Sequence, residues 1–128
     1  MRLLLDTQII LWAAVSPDRL SKKAKAVLLE EANELVYSVA SLWEVAIKRS
    51  LNRADFQVDP RALRQGLLNN GYDELPVLGQ HALATDALPL IHRDPFDRLL
   101  IAQAVAEGLT LLTADALLAT YPGPVKKI

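Results

Sequence analysis

Residues 94–115 read DPFDRLLIAQAVAEGLTLLTAD, and the architecture follows from that stretch. Asp94 is a natural N-cap, Pro95 suits the first helical position and Gly108 follows the last, so the spacing predicts a helix over Pro95 to Glu107. Thr110-Leu111-Leu112-Thr113 is then a short apolar run without polar alternation, the pattern of a buried strand. Asp115 stands just beyond it. The chain begins with the same grammar: Arg2 to Leu5 is an apolar run ending at Asp6-Thr7, followed by Ile9, Ile10, Trp12 and Ala13 at helical spacing.

Between these ends, helices are predicted over Ser21 to Ala32, Ser41 to Leu51, Pro60 to Asn70 and Gly79 to Leu88, with a short one over Asp115 to Tyr121. Strands are predicted over Glu34 to Val39, at Leu75-Pro76-Val77 and over Val125 to Ile128. Strands that alternate with helices, and are apolar throughout, indicate an α/β fold: a parallel sheet covered on both faces. Four to five strands are expected. The length of 128 residues is about one domain's worth, and no repeat, low-complexity tract or linker divides residues 1–128.

Composition narrows the chemistry. With 52% hydrophobic and 23% charged residues the chain is not a disordered protein, and the absence of Cys removes disulfides, thiol catalysis and Cys-ligated metals together. The apolar run before Asp6 is too short for a signal peptide, and no stretch is long enough to span a bilayer, so no membrane association and a cytoplasmic location are expected. The formal net charge of −1 argues at first against a nucleic-acid partner.

Four carboxylates stand at strand ends or helix beginnings: Asp6, Glu44, Asp97 and Asp115. Each has a structural reading, because a carboxylate at a helix N-terminus caps free N–H groups and complements the dipole for about 0.3–1 kcal/mol. Ser41-Leu42-Trp43-Glu44 fits a capping box, Glu44 is also placed to pair with Lys48 one turn on, and Asp97 is three residues after the Asp94 cap. Asp6 fits this reading least well, since Thr7 would cap the same helix without charge at the end of an apolar strand. The other reading is convergence. Ligands of such sheets bind beyond the carboxyl ends of the strands, and if the strands ending at Leu5 and Thr113 are neighbours, Asp6 and Asp115 share one crevice with Glu44 and Asp97 at its rim. Carboxylates so crowded raise one another's pKa values, which a divalent cation relieves. An all-oxygen donor set selects Mg²⁺ or Mn²⁺ over zinc, and such ions, which keep waters and bind phosphate oxygens, suit phosphodiester hydrolysis.

The stretches LLLDTQIILW (Leu3 to Trp12), SVASLWEVAIK (Ser38 to Lys48), HRDPFDRLLIAQA (His92 to Ala104) and LLTAD (Leu111 to Asp115) occur in this order along the chain. Through them the sequence resembles, over essentially its full length, the PIN-domain ribonucleases, and more narrowly the VapC-like toxins of type II toxin–antitoxin systems. The resemblance implies a three-layer α/β/α fold, with Asp6, Glu44, Asp97 and Asp115 as a metal-binding and catalytic quartet supported by hydrogen bonds from Thr113 and Thr7. It implies Mg²⁺ or Mn²⁺ dependence, cleavage of single-stranded RNA to a 5′-phosphate and a 3′-hydroxyl, dimerisation, and inhibition by a small antitoxin protein. Glu44 is expected to orient or deprotonate the attacking water, and Arg93 and Arg98, flanking Asp97, to hold substrate phosphates.

Other residues carry blander expectations. His92 is expected to be a hydrogen-bonded structural histidine and His81 a surface residue, while Trp12 and Trp43 are assigned to core or subunit packing. Three competing classes remain. A receiver domain would need a pair of acids after the first strand and a Lys after the last strand of its pocket, but Asp6 stands alone and no Lys follows Thr113. A haloacid-dehalogenase-type phosphatase would need Asp-x-Asp, and Gln8 occupies the second place. A PIN fold that only binds partners is disfavoured by the presence of all four acids. Setting those four aside leaves eleven acids against fourteen bases, so the total charge no longer speaks against RNA.

Overall fold

Strand β1 (Arg2–Leu5) lies at the centre of a five-stranded parallel sheet in the computed structural model, which describes residues 1–128. The chain continues through α1 (Thr7–Val15), a 3-10 turn at Pro17–Arg19, α2 (Lys22–Leu29), β2 (Glu34–Ser38), α3 (Val39–Ser50), α4 (Pro60–Asn69), β3 (Asp73–Leu75) and α5 (Gly79–Ala84). After a 3-10 turn at Thr85–Ala87 come α6 (Pro95–Glu107), β4 (Thr110–Thr113), a 3-10 turn at Leu118–Thr120 and β5 (Val125–Lys127). The strand order is β3-β2-β1-β4-β5. The chain therefore winds outward from β1 to β3 on one side and then returns to pair β4 with the other edge of β1, Leu3 against Thr110 and Leu5 against Leu112. That reversal is a topological switch point, and it opens a crevice beyond the carboxyl ends of β1 and β4.

Alternation along the strands divides the core into two layers. Leu3, Leu5, Tyr37 and Leu112 face a cluster with Ile9, Ile10, Ala24, Leu63 and Leu67 from α1, α2 and α4. Leu4, Val36 and Leu111 face the opposite cluster with Leu100, Ile101 and Ala104 of α6, closed by Leu118 and Tyr121. Helices thus cover both faces, the expected three-layer arrangement, and the strands are apolar because neither face meets water.

Several boundaries differ from the sequence reading, each for a tertiary reason. β2 passes into α3 without a loop, and Ser38, not Ser41, is the cap, its hydroxyl accepting from Ala40 N at 3.0 Å. Ser41 is inside the helix and bonds Thr7 across to α1 at 2.8 Å, so the expected capping box does not form. β3 lies two residues earlier than Leu75–Val77, because Glu74 is held at the sheet edge by Tyr37 Oη (2.7 Å) and by two bonds from Arg64 (2.7 and 3.0 Å). The helix expected over Gly79–Leu88 gives way to a 3-10 turn at Thr85, and that expected over Asp115–Tyr121 shrinks to Leu118–Thr120. His81 is fully buried rather than superficial: Nδ1 accepts from Leu78 N at 3.0 Å and Nε2 meets Glu107 at 2.8 Å. No helix is long and apolar enough to cross a membrane.

Leu4 is completely buried between β2 and β4 and against α6. Leu4→Ala is expected to lower unfolding stability by about 2–5 kcal/mol, the cost of the lost transfer and the cavity left, read as a drop in the urea midpoint at unchanged slope.

Candidate active site

Asp6 directly follows β1 and is the N-cap of α1: its Oδ1 accepts from Ile9 N at 2.8 Å. Its Oδ2 accepts from Thr113 Oγ1, at the end of β4. Thr113 Oγ1 in turn accepts from Asp115 N at 3.0 Å, so one buried hydroxyl ties Asp6 to the loop carrying Asp115. Asp115 Oδ1 caps the following turn through Leu117 N (2.8 Å) and Leu118 N (3.3 Å), which leaves Oδ2 for the crevice. Glu44 reaches the same region from α3, and Asp97 from the first turn of α6, whose cap is Asp94 through Phe96 N (2.9 Å) and Asp97 N (3.4 Å).

The electrostatics agree with crowding. Burial pushes the Asp6 carboxyl above its usual range, against the lowering pull of Thr113 and Ile9 N, and the nearby Asp115 and Glu44 charges add to the rise. Asp97 is pushed up to about 7, first by burial and then by Asp94, with smaller contributions from Asp6 and Glu44; His92 pulls the other way. Asp115 is the exception. Partial desolvation works to raise it, but the N–H groups of Leu118 and Leu117 and the His92 ring outweigh this and hold it below the ordinary range.

His92 stands between two of the acids. Its Nε2 lies 3.3 Å from Asp97 Oδ2 and 3.3 Å from Asp115 Oδ2. Its Nδ1 accepts from Asp94 N at 3.1 Å, so the proton of the neutral ring is assigned to Nε2, directed at both carboxylates. Tyr121 Oη fixes the backbone here, accepting from His92 N at 2.7 Å and donating to His92 O at 3.2 Å. The sequence leads only to a hydrogen-bonded structural histidine at His92, without this bridge. The one signal available was its position within HRDPFD.

The donor set fits a hard divalent cation. Asp6, Asp97, Asp115 and Glu44 offer only carboxylate oxygens, His92, Asp97 and Asp115 bring ligand atoms within 4.8 Å of one another, and Glu44 Oε1 is buried without a hydrogen-bond donor while Oε2 pairs with Lys48 at 3.2 Å. An orphaned carboxylate oxygen beside acids that only His92 and Lys48 offset is compatible with a cation there.

The remaining expected residues separate. Thr113 contacts Asp6 directly, whereas Thr7 bonds Ser41 and braces α1 against α3. Arg93 is exposed and lines a cavity of about 470 Å³ with Glu44, Ile47, Lys48, Asp94, Pro95 and Phe96. Arg98 corrects the expectation made of it. Its Nη1 donates to Pro89 O (2.9 Å) and Tyr121 Oη (3.3 Å), and Nη2 to Thr85 O (2.8 Å) and Leu88 O (3.4 Å), so its donors secure the loop before α6 and are not free for phosphate. Trp12 is partly buried in the core, but Trp43 is 61% exposed and is not core. A larger cavity of about 1410 Å³ lies among α1, α2 and α4 and is lined by none of the four acids.

A sequence model of the PIN domain matches residues 3–123. The chain is 30% identical over 122 residues to Ribonuclease VapC22 of Mycobacterium tuberculosis, covering 94% of this chain and 92% of that one. Among solved structures it is similar to VapBC2 from Rickettsia felis bound to a promoter DNA fragment, with a TM-score of 0.71 at 18% identity over 99% of this chain and 98% of that one. It is also similar to VapBC-5 of M. tuberculosis, with a TM-score of 0.62 at 20% identity over 99% and 97% of the two chains.

Folding raises the Asp97 pKa from 3.8 to about 7, so its contribution to stability is full below about pH 4 and is lost as pH rises through about 7. Screened at a partly open site, the effect is about 1–2 kcal/mol. In chelator, melting temperature is expected to fall over this window and Asp97→Asn to flatten the fall. Added Mg²⁺ or Mn²⁺ is expected to raise it more at about pH 8 than at about pH 5, as thermal-shift titrations will check.

Proposed function

The chain belongs to the PIN-domain family, and on that premise we propose that it is a divalent-metal-dependent endoribonuclease acting as the toxin of a toxin–antitoxin pair. The observation that carries the reading is the grouping of Asp97 and Asp115 around His92, with the charges of Asp6 and Glu44 near enough to act on Asp97 and with buried Glu44 Oε1 lacking a donor. The ribonuclease name of the M. tuberculosis relative and the toxin–antitoxin complexes among the structural neighbours support it.

In the proposed mechanism Asp6, Asp97 and Asp115, together with Glu44, would hold Mg²⁺ or Mn²⁺. The bound ion would acidify a water and offset charge that builds on the phosphoryl oxygens. The residues of the chain do the rest. Glu44, whose Oε2 is held by Lys48 at 3.2 Å, would orient or deprotonate the attacking water. Thr113 and Ile9 N immobilise Asp6, so that it needs no reorganisation when charge develops. The Nε2–H of His92 steadies Asp97 and Asp115 when they are not otherwise compensated. Attack of the water on phosphorus breaks the bond to the 3′ oxygen, which takes up a proton from solvent, and leaves a 5′-phosphate and a 3′-hydroxyl. Arg93, exposed beside Asp94, is the cation proposed to meet the substrate backbone.

A small cognate antitoxin is the proposed protein partner, and the apolar cavity lined by Ala13, Leu20, Leu28, Leu63 and Leu67 its proposed seat. Homodimerisation and a cytoplasmic site of action belong to the same reading.

With single-stranded RNA and Mg²⁺ or Mn²⁺, Asp6→Asn and Asp97→Asn are each expected to lower the cleavage rate at least about a hundredfold, and chelator to abolish cleavage. Wild-type rates in either variant, at matched thermal stability, would overturn the assignment.

A further inference from the structure

Trp43 immediately precedes Glu44 on α3, and Phe96 immediately precedes Asp97 on α6. Their rings meet at a centroid distance of 5.3 Å and an interplanar angle of 71°, edge to face, so an aromatic pair bridges the two helices that deliver these acids. The contact does not bury the indole, which remains 61% exposed. Lys48 and Arg93 line the cavity of about 470 Å³ that runs past Phe96 to Glu44. The surface therefore combines the open indole of Trp43 with, beside its partner Phe96, the cations Lys48 and Arg93 and the acids Glu44 and Asp94.

We propose that Trp43, steadied by Phe96, is a stacking platform for a nucleobase of single-stranded RNA next to the scissile phosphate. This rests on the ribonuclease reading and adds to it where the strand lies. Stacking on an indole is open to every base but needs the base unpaired, so the platform selects single strands over duplex. Charge favours nucleic acid over a second copy of the chain: Arg93, exposed beside Phe96, makes no ion pair, whereas Lys48 is held by Glu44, and an unpaired guanidinium suits an anionic backbone and would lose hydration in an apolar protein interface. Ile47 at 39% and Leu51 at 61% exposure extend α3 on the other side and make the second copy the alternative to be tested.

The test uses the two tryptophans. The Nε1 of Trp12 has no hydrogen-bond partner, so Trp12→Phe breaks no such bond and leaves Trp43 as the sole indole. A short mixed-sequence RNA, single-stranded, added in chelator to the Trp12→Phe protein should quench Trp43 emission, and the same sequence as duplex should not. In the otherwise unaltered chain, Trp43→Ala is expected to raise Kd and KM for the single strand about tenfold with kcat nearly kept, and Trp43→Phe to restore most of the loss. Trp43→Leu, apolar but without a ring, should behave like Trp43→Ala. Cleavage by wild-type protein together with unchanged Kd and KM in Trp43→Ala would overturn the platform alone. So would loss of dimer in light scattering at unchanged RNA affinity per protomer, which gives the surface to a second copy. A wild-type protein that neither binds nor cuts the RNA overturns the ribonuclease reading and the platform with it.

Discussion

Asp6 carries out two tasks with its two oxygens. One starts α1 by capping Ile9 N; the other takes the hydroxyl proton of Thr113 at the end of the neighbouring strand. Because β1 and β4 pair in register from Leu3–Thr110 to Leu5–Leu112, that hydrogen bond closes the sheet at its switch point and also sets where Asp115 begins its loop, through Thr113 Oγ1 and Asp115 N. The remaining acids are delivered to the same place by helices whose positions follow from the sheet. α3 leaves β2 without a loop and is braced on α1 by Thr7–Ser41, and α6 is packed through Leu100, Ile101 and Ala104 on the opposite face.

The arrangement works against stability. A buried Asp6, an Asp97 pushed up to about 7 and an unpaired Glu44 oxygen are each unfavourable in a protein that only has to fold. The molecule limits the cost with His92, whose Nε2–H is shared between Asp97 and Asp115, and with Lys48 on Glu44. The loop bearing His92 is itself held by Tyr121 and by Arg98, whose donors go to Thr85, Leu88 and Pro89. Strain accepted at the acids is thus supported by a shell of neutral and cationic groups, the usual arrangement where a site is preorganised.

Local signals were enough for α6 and β4, where Asp94, Pro95 and Gly108 fix both ends of the helix and an unbroken apolar run fixes the strand. Asp6 just beyond β1, and Asp97 in the first turn of α6, stand where one dimension places them, whereas Glu44, expected in a first turn, lies deeper in α3 because that helix begins at Val39. What failed depended on partners distant in sequence. β3 is polar and is held by Tyr37, Glu74 and Arg64. His81 is buried because Glu107 waits on α6. Arg98 resembled a phosphate ligand by its place in the motif, until the carbonyls of the preceding loop and the Tyr121 hydroxyl took its donors. Trp43 resembled a core residue by type, and its exposure is decided by what α3 and α6 leave uncovered.

Everything proposed for the chemistry depends on the crevice between β1 and β4 taking a divalent cation. Anomalous scattering from crystals grown with Mn²⁺ addresses it most directly. A peak bounded by the carboxylates of Asp6, Asp97 and Asp115 with Glu44 beside it is expected, and its disappearance in Asp6→Asn. Bound Mn²⁺ only elsewhere on the surface, with His92 still bridging Asp97 and Asp115, would contradict it.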